Sequence, residues 1–282
     1  MTLRDALRTG AQELRRHRCP GSDAVREAEA LLVEATGAPR ERFILSPDAA
    51  VRPAALRRYR SLLSRRRRHE PLAYLLGTAW FAGIELAVDR RVLIPRPATE
   101  HMLAAALDAG AQLLIDVGTG SGCLAVAAAL AMPGAKIVAT DDSSASLDVA
   151  RKNARRHGVA GRIRFVKGDL LRPAAATLSR THDRIVIVAN LPYVPSSARV
   201  SPCVRREPRH AVFAPKDGTG PYRELFSQLA ALRPGRPFTL LCELLPRQYA
   251  PLRRAIIARF PAADVGPIKN HQRRTVGLAA KI

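Results

Sequence analysis

Lysine is scarce in this 282-residue chain: Lys136, Lys152, Lys167, Lys216, Lys269 and Lys281 are six of its 46 basic residues, and the other 40 are arginine. Cysteine is scarcer still. Cys19, Cys123, Cys203 and Cys242 lie far apart without a CxxC pair, which rules out a densely cross-linked scaffold and offers no thiolate pair for a metal. Cys123 and Cys242 sit in apolar runs and read as reduced, buried thiols. The seven histidines show no ligand spacing, so no metal site is expected. No apolar run approaches the ~20 residues that span a bilayer. The opening segment MTLRDALRTGAQELRRH has no apolar stretch of the kind that directs secretion. These absences point to a cytoplasmic protein with no membrane segment. The net charge of +22 has two readings. It is either a solvated, arginine-rich surface or a site for a phosphate-rich partner such as RNA, and charge alone does not choose between them.

What is present begins with helical periodicity from Leu3 to about Tyr74. Leu3, Leu7 and Leu14, then Val25, Ala28, Leu31 and Leu32, then Leu56, Tyr59, Leu62 and Leu63 recur at helical steps. Breaks fall at Cys19-Pro20-Gly21 and Gly37-Ala38-Pro39, with Ser22 or Asp23 as a cap. The run Arg65 to Arg68 reads as the solvated end of the last helix, or as a contact for RNA or an acidic partner. Trp80 to Val88 alternates like a hairpin. Val92 to Glu100 holds Arg96 between Pro95 and Pro97 on a stiff segment, with Thr99 placed to cap the next helix.

The remainder alternates strands with helices, as a parallel doubly wound sheet does. Leu113 to Val117 is a strand that turns into a helix through Gly118-Thr119-Gly120-Ser121-Gly122. That spacing is neither G-x-G-x-x-G nor a phosphate loop ending in Gly-Lys-Ser/Thr, which disfavours a dinucleotide or a triphosphate. Asp116 can hold this loop or a ligand amine. Asp141 ends the second strand, about where an acidic side chain meets ribose hydroxyls. Asp169 and Leu170 follow the third strand, placed for an adenine edge and face. The apolar run Ile185 to Ala189 ends in Asn190-Leu191-Pro192-Tyr193. The Asn190 side-chain oxygen and the Leu191 carbonyl could take the two hydrogens of a planar NH2 group, with Tyr193 as a stacking wall. The plain alternative is a strand followed by a proline turn. The segment around Arg205 to Arg209 and Asp217-Gly218 could form a lid, and the last strands run Phe238 to Glu243 and Thr275 to Ala280.

Taken together these residues resemble the protein-glutamine methyltransferases that modify peptide chain release factors. The likeness runs through Pro71-Leu72-Ala73-Tyr74 with Gly77, Leu93 to Pro97 with Thr99-Glu100, Asp116 to Gly122, Asp141, Ala150 to Ala154, Gly168 to Leu170, Asn190 with Pro192-Tyr193, and Glu207-Pro208 with Asp217-Gly218. It implies a class I S-adenosylmethionine-dependent fold, α/β and mainly parallel with seven strands, beside a small helical bundle. The expected domains are 1–75 for substrate recognition, 76–100 as hairpin and linker, and 101–282 for methyl transfer. The resemblance implies that Asp116 and residues Gly118, Thr119, Gly120, Ser121 and Gly122 hold the methionine part of S-adenosylmethionine. By the same resemblance Asp141 holds the ribose, Asp169 and Leu170 the adenine, and Asn190 also borders the cofactor. Asn190, Leu191, Pro192 and Tyr193 would grip the acceptor glutamine, with Phe81, Pro95 and Arg96 on the substrate side. The implied partner is a release factor, or a ribosomal protein, acted on by a monomer without need of nucleic acid. Leu191 stands where the family carries proline, and Phe213-Ala214-Pro215-Lys216 replaces a glycine-rich segment. The Asn-Leu-Pro-Tyr tetrad also resembles that of ribosomal RNA adenine dimethyltransferases, so adenine-amine methylation of RNA or DNA is the alternative. A ribosome-associated binding protein that kept the fold without activity is the third reading.

Overall fold

In the computed structural model, residues 1–16, 23–180, 184–232 and 234–282 are described. The chain divides into two compact units, 1–78 with 199–207 and 79–198 with 208–282. The first unit is helical. Leu3–Arg15, Ala24–Thr36 and Pro53–Arg67 pack Leu14, Leu31, Leu32, Tyr59, Leu62 and Leu63 into one core. Asp23 caps the second of these helices by accepting from the main-chain N–H groups of Val25 and Arg26; Ser22, like Cys19-Pro20-Gly21, lies outside the described residues. The basic run is not a uniformly solvated helix end. Arg66 is buried and forks onto Glu27 at 2.8 and 2.9 Å, while Arg65 pairs with Glu70. A guanidinium can be buried this way because one edge forks onto a carboxylate while Nη1 finds the Glu70 main-chain carbonyl at 3.3 Å.

The second unit carries the seven-stranded sheet. Its strands are β1 (Leu113–Val117), β2 (Lys136–Asp141), β3 (Ile163–Lys167), β4 (Ile185–Ala189), β5 (Phe238–Glu243), β6 (Asp264–Lys269) and β7 (Thr275–Lys281). They lie in the order β3-β2-β1-β4-β5-β7-β6, with only β7 reversed. Every residue of β1 and β4 is buried, as strands at the centre of a parallel sheet are, and apart from Asp116 all of them are apolar. Leu113, Ile115, Ile187 and Leu240 pack on one face against helix Gly220–Leu232, while Leu114, Val186, Val188 and Leu241 pack on the other. β6 has no counterpart in the sequence reading. Its Gly266-Pro267 pair is a poor strand signal, tolerated here because β6 is an edge paired only to β7.

The hairpin forms as expected, Thr78–Phe81 against Ile84–Ala87, turning through Ala82 and Gly83 at φ of 47° and 79°. Cys123 and Cys242 are free thiols. Cys203 is disulfide-bonded, which the wide spacing of the cysteines did not predict.

Candidate active site

Register decides which residues meet. Val117 pairs with Thr140 on one side and Ala189 on the other, Asp141 pairs with Lys167, and Ala189 pairs with Cys242. The next residues along, Gly118, Asn190, Gly168 and Glu243, therefore emerge beside Asp141 at the carboxyl ends of adjacent strands. This is where an open α/β sheet binds ligands. A cavity of about 320 Å³ opens there. Asp116, Gly118, Thr119, Gly120 and Ser121 line one part of it, and Asp141, Asp169 and Leu170 another. Asn190, Leu191 and Pro192 border it together with Pro95 and Arg96.

Three expected residues are placed elsewhere. Gly122 lies beneath the loop, at φ of 80°, as the cap of helix Cys123–Ala131. A Cβ there would come within 3.0 Å of that of Ala150, so only glycine lets the loop close on its neighbouring helix. Tyr193 turns its hydroxyl away, to Glu243 at 2.8 Å. Phe81 is 1 % exposed in the core between the sheet and its helices, and it does not border the cavity. The hairpin alternation points it inward, and a ring buried this completely has no face left for a substrate.

Asp116 is buried, and its Oδ2 accepts from the Thr119 hydroxyl at 2.6 Å and the Ala125 N–H at 3.2 Å. Oδ1 takes no hydrogen bond from a described residue. Burial raises the Asp116 carboxyl to about 6, against the pull of its two hydrogen bonds. Such a group gains from an incoming cation. Asp141 accepts from the N–H groups of Gly120 and Ser143, so it ties the glycine loop to β2 while still facing the cavity. Burial raises its pKa as well, against the pull of the Ser143 and Gly120 N–H groups and, more weakly, of His210, a cavity residue. Leu170 adopts φ of 47°, its carbonyl accepting from the Thr140 hydroxyl.

Several groups that hold the site were not anticipated. Gln228 donates to Asp169 at 2.8 Å and accepts from Leu171, pinning the third loop. Asn153 bonds both the N–H and the carbonyl of Ala87 and also the Ser121 carbonyl, stapling the hairpin to the glycine loop. Gln248 holds the carbonyls of Tyr193 and Asp217 at 2.8 and 2.9 Å. Thr99 is not a cap. Helix Pro97–Asp108 begins after Arg96, and the Thr99 hydroxyl instead donates to Glu243 Oε2 at 2.6 Å while accepting from Asn190 Nδ2 at 3.0 Å. Burial pushes the Glu243 carboxyl up, and the Thr99 and Tyr193 hydroxyls, with Arg96 and His101, pull against it. A carboxylate ending the apolar strand Phe238–Glu243 is the one sequence signal that marked this residue.

The Leu191 substitution brings an N–H that proline lacks. It donates to the buried Tyr222 hydroxyl at 3.2 Å, whose own proton goes to the Glu243 main-chain carbonyl. The same hydroxyl lies 3.5 Å from the Leu191 carbonyl, but its single proton goes to the closer Glu243 carbonyl, so the Leu191 carbonyl keeps lone pairs for a ligand.

The PrmC N-terminal domain matches residues 5–77, and the ribosomal protein L11 methyltransferase model matches residues 99–192. A release factor glutamine methyltransferase of Chlorobaculum tepidum is 37% identical over 89% of this chain and 88% of its own. That of Deinococcus radiodurans is 36% identical over 95% and 94%, and that of Bacillus subtilis is 31% identical over 88% and 89%. Among solved structures, the hMettl16 catalytic domain in complex with MAT2A 3'UTR hairpin 6 matches with a TM-score of 0.54 at 16% identity, over 70% of this chain and 74% of that one. Its complex with hairpin 1 matches with a TM-score of 0.53 at 14% identity, over 98% and 90%. At these identities the likeness is one of fold.

Proposed function

Because the chain belongs to the release factor glutamine methyltransferase family, we propose that its acceptor is the side-chain amide nitrogen of a glutamine in a peptide chain release factor. The methyl donor is S-adenosylmethionine, which when bound supplies an electrophilic methyl group on a sulfonium centre. The cavity suits such a molecule. The uncommitted Asp116 Oδ1 matches an ammonium group, Asp141 a pair of ribose hydroxyls, and Asp169 with Leu170 the edge and face of a base.

The observation that carries the reading is the acceptor pair at the tip of β4. Asn190 commits its Nδ2 to Thr99, which leaves Oδ1 and the neighbouring Leu191 carbonyl as two acceptors at the cavity. An amide nitrogen is a poor nucleophile because its lone pair is delocalised. Two acceptors that take both of its N–H groups orient that lone pair and stabilise the positive charge that develops on the nitrogen during transfer. Pro192 stiffens the tip, and Tyr193, held by Glu243 and Gln248, bounds it. No side chain is needed as a base, since the methylated amide cation loses its proton readily to water.

In this reading the helical segment 1–75 recognises the protein substrate, residues 76–100 link it to the methyl-transfer domain 101–282, and the match of residues 5–77 to the PrmC N-terminal domain supports the first assignment. The enzyme works as a cytoplasmic monomer; no helix among the described residues is long and apolar enough to cross a membrane. Asn190→Ala tests the role of the tip. Turnover should fall about 100-fold or more with S-adenosylmethionine affinity little changed, whereas parallel loss of both would remove Asn190 from the acceptor role.

A further inference from the structure

We propose that Glu243 is a positioning residue that dictates which end of the Asn190 amide faces the acceptor, acting through the hydroxyl of Thr99. The proposal rests on the reading of Asn190 as the group that receives the substrate N–H.

Glu243 does not border the cavity; it sits one layer behind, 1 % exposed, with Thr99 equally buried in front of it. The chain of contacts runs from Asn190 Nδ2 to Thr99 Oγ1 at 3.0 Å, and from Thr99 Oγ1 to Glu243 Oε2 at 2.6 Å. A threonine hydroxyl has one proton, and the Glu243 side chain accepts at both oxygens, at Oε2 from Thr99 and at Oε1 from Tyr193. The Thr99 proton must therefore point to Glu243, and only lone pairs remain for Asn190. The asparagine can meet them only with its NH2 end, so Oδ1 is turned toward the cavity. A hydrogen-bond donor at position 243 would allow the opposite polarity. Thr99 would then donate to Oδ1, and the NH2 of Asn190 would confront the NH2 of the substrate.

The other carboxylate oxygen, Oε1, accepts from the Tyr193 hydroxyl at 2.8 Å. One buried acid thus fixes both the polarity of Asn190 and the direction of the Tyr193 ring. Thr99 separates these two effects, because it touches only the first.

The test compares the full-length protein with Thr99→Val, Thr99→Ser, Glu243→Gln and the Thr99→Val/Glu243→Gln double variant. Turnover is measured with labelled S-adenosylmethionine and purified release factor, and cofactor affinity by calorimetry. Thr99→Val keeps the shape and loses the relay, so kcat should drop about 10- to 100-fold while cofactor Kd stays within about threefold. Thr99→Ser restores the hydroxyl and should regain most of the rate. The double variant should be no slower than the slower single one, since both cut the same relay. Wild-type turnover in Thr99→Val, cofactor affinity lost in step with kcat, or multiplicative effects in the double variant would overturn the proposal. Should Glu243→Gln fail to fold, the valine and serine variants decide alone. A parent enzyme that labels no glutamine would refute the activity itself, and this proposal with it.

Discussion

Tyr222→Phe removes one oxygen from the fully buried heart of the second unit and breaks its two shorter hydrogen bonds, along with a 3.5 Å contact to the Leu191 carbonyl. The hydroxyl accepts from the Leu191 N–H and donates to the Glu243 carbonyl, and Tyr222 is 0% exposed. No water can replace it without opening the core. An orphaned buried N–H costs about 1–3 kcal/mol, and the lost bond to the carbonyl adds about 1 kcal/mol. The variant should therefore be about 2–4 kcal/mol less stable in urea denaturation followed by circular dichroism. The diagnostic comparison adds Leu191→Pro. Proline carries no N–H to orphan, so in the Tyr222→Phe background it should return about 1–2 kcal/mol, whereas on its own it should be neutral or slightly harmful. A coupling energy near zero across this double-mutant cycle, or a Tyr222→Phe cost below about 0.5 kcal/mol, would refute the account of how the chain accommodates leucine in place of proline.

The other perturbations act on the cavity itself. Asp116 must be ionised to meet an ammonium, and burial raises its carboxyl to about 6; S-adenosylmethionine affinity should fall by up to about tenfold per pH unit below that value, and Asp116→Asn should weaken binding and flatten the profile. In the ligand-free protein the same raised value means that the folded state holds the proton more tightly than the unfolded chain. Asp116 should thus make stability decline as pH rises from about 4 through about 6, a slope that Asp116→Asn removes. Gly218→Ala should be severely damaging: at φ of 83° its Cβ would lie 2.1 Å from the Tyr193 carbonyl oxygen and 2.6 Å from Gln248 Nε2. The expected result is loss of methyl transfer together with a thermal midpoint lowered by several degrees, and an unchanged midpoint would contradict it.

The parts of the fold legible in the sequence are those whose signal is local. Ile185–Ala189 announces itself as an unbroken apolar run and Leu113–Val117 as an apolar run broken only by Asp116, and their sequels, Asn190 and the glycine loop, mark the ligand side. β6 was not legible, because what makes Asp264–Lys269 a strand is its pairing with β7 and not its own residues. Thr99 shows the same limit from the other side. Its place before a helix suggested a cap, but a carboxylate 144 positions away claims its hydroxyl. Arg66 read as part of a solvated run until Glu27, from another helix, met it in the core. Phe81 was read as facing substrate when its alternation merely marks the inward side of a hairpin. The cavity lining was readable because it follows the ends of strands. The layer behind it, Glu243, Gln228, Gln248 and Asn153, was not, since each matters through partners distant in sequence.

The most direct test of the central claim is a methyl-transfer assay in which purified release factor and ribosomal RNA compete in one tube for labelled S-adenosylmethionine, followed by separation of protein from RNA. The account predicts label on a single glutamine of the release factor and none on RNA. Label on RNA adenines, with the release factor unmodified, would contradict it.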